Sequence, residues 1–124
     1  MNLGIRALSI AAMSFITLTS CTFIAPSVDE AKATLEEAGY TVYVNTGDKL
    51  DEDNSDSLLY NVIGVDDAVY GAKESDEIYL IYFFSIETAS SEGDFITTPD
   101  GMRKGQINKL VYIGTPQAIK DAKL

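Results

Sequence analysis

Seven consecutive apolar residues, Ile78-Tyr79-Leu80-Ile81-Tyr82-Phe83-Phe84, limit what this chain can fold into more than any other stretch. Successive side chains of a strand point to opposite faces, so a strand apolar at every position has both faces turned from water. The run has the length of a strand, and its β-branched and aromatic content fits one. It is expected in the middle of a sheet with both sides at least partly covered. Glu74, Asp76 and Glu77 before it and Glu87 after it read as charged guards against aggregation. Val65–Lys73 reads as a strand, and Glu74-Ser75-Asp76 as a compact polar turn. The segments 65–73 and 77–84 are therefore expected to pair as an antiparallel hairpin.

Other elements carry their own start and stop signals. Ser27-Val28-Asp29-Glu30 has the spacing of a capping box, and Val28, Ala31, Leu35 and Ala38 recur at helical intervals. Gly39 is placed to end that helix, expected over 28–38. From Tyr40 to Thr46 the residues alternate, with Tyr40, Val42 and Val44 on one side of a half-buried strand. The segment 48–57 reads as a polar loop. Leu58, Leu59, Val62 and Ile63 fit a two-turn helix ended by Gly64, and a strand is the alternative. Ser85 can cap a helix carrying Ile86 and Ala89 inward and fraying by Gly93. The segment 93–105 reads as a loop anchored by Phe95 and Ile96, with Arg103-Lys104 at its tip. A strand is expected over 106–113, and Thr115-Pro116 opens a last helix with Ile119 and Ala122 inward. The order predicts an α+β fold: a four-stranded, mainly antiparallel sheet with helices packed on it as a two-layer sandwich, in one domain over 27–124.

Composition removes several classes of function. There is no histidine, so the commonest general base and metal ligand is missing. A Ser-His-Asp triad, a Cys-His dyad and an ordinary zinc site are excluded. No Gly-rich phosphate loop, repeat or heptad is legible, and no cofactor is implied. Acidic residues number nineteen, and a surface so acidic repels nucleic acid.

Three constellations merit weighing. Asp48, Asp51, Glu52, Asp53 and Asp56 fall in one loop, with oxygen ligands for Ca²⁺ at alternate positions 51, 53 and 55. The calcium-loop pattern fails, since its sixth position should be Gly and is Asp56, and its twelfth should be Glu and is Val62. A solvated acidic loop is the expectation, and no metal site is assigned. Asp66 and Asp67 are adjacent in a strand and point to opposite faces, so they do not act as a pair. Tyr40, Tyr43, Tyr60, Tyr70, Tyr79, Tyr82 and Tyr112 lie in or beside predicted elements. They either border a small core or form a binding surface. No catalytic residue is assigned, and the residues of any ligand site are not legible.

The N-terminus carries a different kind of signal. Residues 1–6 are a short polar start with one positive charge, Arg6. Residues 7–18 are largely apolar, the length of a signal-peptide core and short for a membrane span. Leu18-Thr19-Ser20-Cys21 follows, holding the one cysteine of the chain, so no internal disulfide is available to the fold. These four residues resemble the lipobox of bacterial lipoproteins. The resemblance implies a thioether-linked diacylglycerol on Cys21 and cleavage between Ser20 and Cys21. Residues 1–20 would then be the signal peptide, and residues 21–26 the lipidated cysteine and a short tether. Without Arg6, eight basic residues face nineteen acidic ones, a net charge of −11. An uncleaved single-pass anchor running to Ala25 and ordinary secretion with a free Cys21 are the competing readings. The element order is similar to small bacterial lipoprotein domains of unknown function, a likeness of layout that brings no site residues.

The expected function is a non-enzymatic binding or interaction domain on the extracytoplasmic face of a bacterial membrane. Its partners would be the membrane, through Cys21, and an envelope protein. The alternative is a small enzyme working with carboxylates and tyrosines, or an inhibitor of an envelope enzyme.

Overall fold

A computed structural model describes residues 24–124; the expected signal peptide over 1–20, Cys21 and the first residues of the expected tether lie outside the described residues. The elements in chain order are α1 (Val28–Glu37), β1 (Thr41–Val44), a short 3₁₀ turn (Asp48–Leu50), β2 (Val65–Lys73) and β3 (Asp76–Phe83). They continue with α2 (Ile86–Phe95), β4 (Arg103–Ile107), β5 (Leu110–Gly114) and α3 (Pro116–Asp121). The sheet is antiparallel throughout, in the order β1-β2-β3-β5-β4. The apolar run thus forms the central strand, as its two-faced character requires, and ends one residue early, leaving Phe84 outside the strand.

Two expectations about the sheet are corrected. It has five strands rather than four, because 103–107 and 110–114 form a hairpin where a loop and one long strand were expected. Asn108 turns the chain with φ 54°, a left-handed conformation asparagine tolerates. The layers also differ from a two-layer sandwich, because the sheet is covered on both faces. Ile78, Leu80, Val69 and Leu110 pack with Ala31 and Leu35 of α1 and Ala118 of α3. Tyr79, Ile81, Phe83, Val111 and Ile113 face the other way, onto Ala89 of α2 and onto Leu50, Leu59 and Val62 of the long β1–β2 connection. Two small covers on opposite faces explain why β3 is apolar at every position from Ile78 to Phe83.

The helices follow their capping signals. Ser27 Oγ accepts from the Glu30 amide (3.1 Å), and Glu30 Oε1 accepts from the Ser27 amide (2.9 Å), a complete capping box. Thr115 caps α3 with Pro116 in its first turn. Helix α2 starts at the expected cap but runs to Phe95 rather than fraying at Gly93. Gly93 is there for packing: a Cβ on it would stand 3.1 Å from Val111 Cγ2. Lys104 spans from β4 to the end of α2, its Nζ donating to the carbonyls of Gly93 (2.6 Å) and Ile96 (2.8 Å). A cation at a helix C-terminus is favoured by the exposed carbonyls and the macrodipole.

The segment 58–63 is neither the expected helix nor its strand alternative. It is a chain of turns with hydrogen bonds such as Ser57 N to Asn54 O and Val62 N to Leu59 O. Asn61 and Gly64 at positive φ break any ladder, while Leu59 and Val62 anchor the loop in the core.

Candidate functional site

The described residues present three surfaces on which function can rest, and all belong to the face covered by α2 and the β1–β2 connection.

The first is an open cleft of about 520 Å³ between residues 45–53 and the start of β2. Leu50, Leu59 and Ala68 form its floor, and Asp48, Asp51, Glu52, Asp53 and Asp66 line it. The acidic loop is folded on its own side chains: Asp51 Oδ1 accepts from the Asp53 amide (2.9 Å) and Asn54 Oδ1 from the Asp56 amide (3.0 Å). These are short-range turns of the kind Asp and Asn form. Among the described residues no three acidic side chains converge in a way that would hold a metal ion. Asp66 and Asp67 separate as expected. Asp66 lines the cleft, whereas Asp67, at a register shift of β2 against β3, accepts from Asn45 Nδ2 (2.8 Å).

The second surface is a tyrosine ladder. Tyr43 of β1, Tyr70 of β2 and Tyr79 of β3 are cross-strand neighbours, with ring centroids 6.1 Å and 5.0 Å apart. Lys49 Nζ lies 5.9 Å from the Tyr70 centroid, and a small pocket of about 240 Å³ opens between Tyr43, Tyr70 and residues 46–49. Three of the seven phenols are hydrogen-bonded within the fold. Tyr70 donates to Glu77 (2.7 Å), Tyr40 to Asp121 (2.8 Å) and Tyr82 to the Pro26 carbonyl (2.9 Å). Burial, and then the hydrogen bond to a carboxylate, holds the Tyr40 and Tyr70 phenols well above the ordinary tyrosine range. Burial also raises Tyr79, and it pushes Tyr82 up to about 12 with help from the charges of Asp67 and Glu30. The Tyr40 and Gln117 hydrogen bonds hold the Asp121 carboxyl below its usual range. Tyr112 covers Gly105 on the neighbouring edge strand. Only Tyr43 and Tyr60 are substantially exposed, so most of the tyrosines border the core rather than form a shared surface.

The third surface escaped sequence reasoning. A groove of about 520 Å³ lies between residues 55–62 and α2, lined by Leu58, Tyr60, Val62, Glu92, Phe95 and Ile96. Around it large apolar side chains stand in water: Phe95 is 80 % exposed, Ile63 68 %, Phe84 64 % and Tyr60 45 %. The backbone links them. Glu92 accepts from the Ile63 amide (3.0 Å), and the Phe84 amide donates to Gly64 O (3.1 Å). Phe95 and Ile86 were expected inward; Ile96 takes the buried position at the end of α2, and Ile86 is half-exposed at its start. Apolarity alone carried no signal that these residues would be left outside.

The basic pair does not form a site: Lys104 is occupied at the end of α2, and Arg103 points to the opposite sheet face. Cys21 lies outside the described residues. No helix among the described residues is long and apolar enough to cross a membrane. Comparison with protein-family models, with curated proteins and with solved structures finds no match.

Proposed function

We propose that this chain is a bacterial lipoprotein, tied to the extracytoplasmic face of a membrane by a lipid on Cys21, and that its folded part is a non-enzymatic interaction domain. The observation that carries the second half is the apolar surface around the α2 groove. Large apolar side chains gathered beside a groove mark contact surfaces in soluble proteins. Phe95 and Tyr60 offer the aromatic bodies that anchor protein–protein contacts. The proposed partner is an envelope protein. The anchor is supported by Leu18-Thr19-Ser20-Cys21 following an apolar segment of signal-peptide length. Two acyl chains hold a protein on a membrane for long periods, where one gives only reversible binding.

Two measurements test this reading. Intact mass of the membrane-extracted protein is expected to begin at Cys21 and to exceed its amino acids by acyl chains and a glycerol. Cys21→Ala is expected to block both changes. A photo-crosslinking residue at position 95 is expected to capture one discrete envelope partner, and the same residue at Glu37 is not. Equal capture from both positions removes the groove from the proposal. The five acids of the open cleft favour a second reading, a carboxylate-based enzyme or an inhibitor of one. That reading requires a turnover or inhibition lost on Asp51→Asn with Asp53→Asn.

A further inference from the structure

The tether leaves the described fold from one definite place. Ala25 packs against the cluster beneath α1 and α3, and the Pro26 carbonyl is fixed by the Tyr82 hydroxyl at 2.9 Å. Ile24, 70 % exposed, is the first residue outside that packing. Ile24, Thr34 and Lys123 line a shallow groove at the exit. The acidic cleft and the apolar groove lie across the sheet from it, for their floors, Leu50, Leu59, Val62 and Ile96, belong to the other core cluster.

Few residues separate Cys21 from the described fold. From Cys21 to Ala25 the chain advances four residues, a reach of at most ~14 Å. A fold of this size has a radius of gyration of about 13 Å, hence a diameter on the order of 33 Å. Turning the far face to the bilayer would raise the exit point by about that diameter, more than twice what the tether allows.

We propose that the α1/α3 face around Ile24, Thr34 and Lys123 rests on the lipid headgroups and that the acidic cleft and apolar groove are held facing away from the membrane. This orientation rests on the Cys21 anchor proposed above. Charge acts in the same direction at the far face. Asp48, Asp51, Glu52, Asp53 and Asp66 line the cleft with Lys49 beside them, a combination that anionic headgroups repel. The near face is not a basic patch, since Asp29, Glu30, Glu36 and Glu37 of α1 accompany Lys32, Lys120 and Lys123. The tether, not attraction, sets the orientation.

The test uses the full lipidated protein in phosphatidylcholine vesicles containing a minority of phosphatidylglycerol. Because the Cys21 sulfur is consumed in the thioether, single thiols can be introduced as Lys123→Cys, Asp53→Cys and Phe95→Cys and given a fluorophore. Headgroup-labelled quencher lipid is expected to quench position 123 several-fold more than positions 53 and 95. Intact mass is read first: an unlipidated chain overturns the anchor and this orientation together. A lipidated chain with equal or reversed quenching overturns the orientation alone. Inserting about 20 Gly/Ser residues between Thr22 and Phe23 adds roughly 25 Å of reach and is expected to erase the contrast. A contrast that survives the insertion overturns the short tether as its cause.

Discussion

Leu80→Ala measures how far the central strand is locked between its two covers. Leu80 is 0 % exposed, lies between Val69 and Tyr112 across the sheet, and packs beneath α1 and α3. Removing three carbons forfeits ~2.4 kcal/mol of transfer free energy at ~0.8 kcal/mol per methylene. A cavity adds to this, and buried Leu→Ala changes span about 2–5 kcal/mol. Strands on both sides and helices above leave the walls little room to collapse, which places the expected loss at about 3–4 kcal/mol. At ~4–8 °C per kcal/mol for a domain near this size, the melting temperature falls by roughly 12–30 °C. The assay is a urea titration of a soluble chain of residues 24–124 under reducing conditions, followed by far-ultraviolet circular dichroism and tyrosine fluorescence, since the chain has no tryptophan. The slope against urea should stay constant, so that the change is in stability and not in cooperativity. Leu80→Asp buries an unpaired carboxylate and should abolish the transition. Phe84→Ala, four residues on and 64 % exposed, should stay within ~0.5 kcal/mol of wild type. A loss below ~1 kcal/mol for Leu80→Ala, or a Phe84→Ala loss as large as that of Leu80→Ala, would refute the packing argument.

Three further outcomes follow from the geometry. Unfolded tyrosines titrate near ~10, whereas folded Tyr82 is pushed up to about 12 and Tyr40, Tyr70 and Tyr79 are raised as well. Their contribution is complete below the unfolded value and is lost as pH rises through the folded ones, so melting temperature should fall steadily in strong alkali; a flat profile there contradicts the burial of these phenols. Lys104→Met leaves the carbonyls of Gly93 and Ile96 without their cation and should cost about 1 kcal/mol in the same urea titration, while Arg103→Met, on the opposite sheet face, should cost little. Millimolar Ca²⁺ should leave the melting temperature nearly unchanged, because the acidic loop spends carboxylate and amide oxygens on its own turns; a rise of several degrees lost on Asp51→Asn with Asp53→Asn would show a ligand set that the loop does not display.

Where local chemistry decides structure, the sequence was legible. The Ser27–Glu30 capping box, the Thr115-Pro116 start and the 65–83 hairpin all appear where their residues call for them. Each depends on neighbours within a few positions. The misread segments depend on distant partners. Residues 103–107 are polar and became a strand because β5 offers a free edge, a fact held by residues 110–114. Gly93 looks like a helix breaker until Val111 is seen against it. Leu58 to Ile63 has helical spacing, yet Asn61 at positive φ and the burial of Leu59 and Val62 favour turns. The apolar groove is the extreme case: nothing in the residues Phe84, Ile86 and Phe95 distinguishes an apolar side chain left in water from one sent to the core.

The sheet order β1-β2-β3-β5-β4 also orders events in time. Two of its four pairings are closed by two-residue turns, at Glu74-Ser75 and Asn108-Lys109. Such hairpins form in ~1–10 μs. The β1–β2 pairing must close a connection of some twenty residues, and β3–β5 must wait for the whole segment from 84 to 109. Loop closure of that kind is slow because its entropy is lost before any contact forms. A chain that emerges N-terminus first therefore presents β3, its most apolar strand, with β2 already beside it. The opposite edge of β3 stays bare until residues 110–114 emerge. That interval, when the stickiest strand of the protein has one open edge, is when folding competes most directly with misassembly.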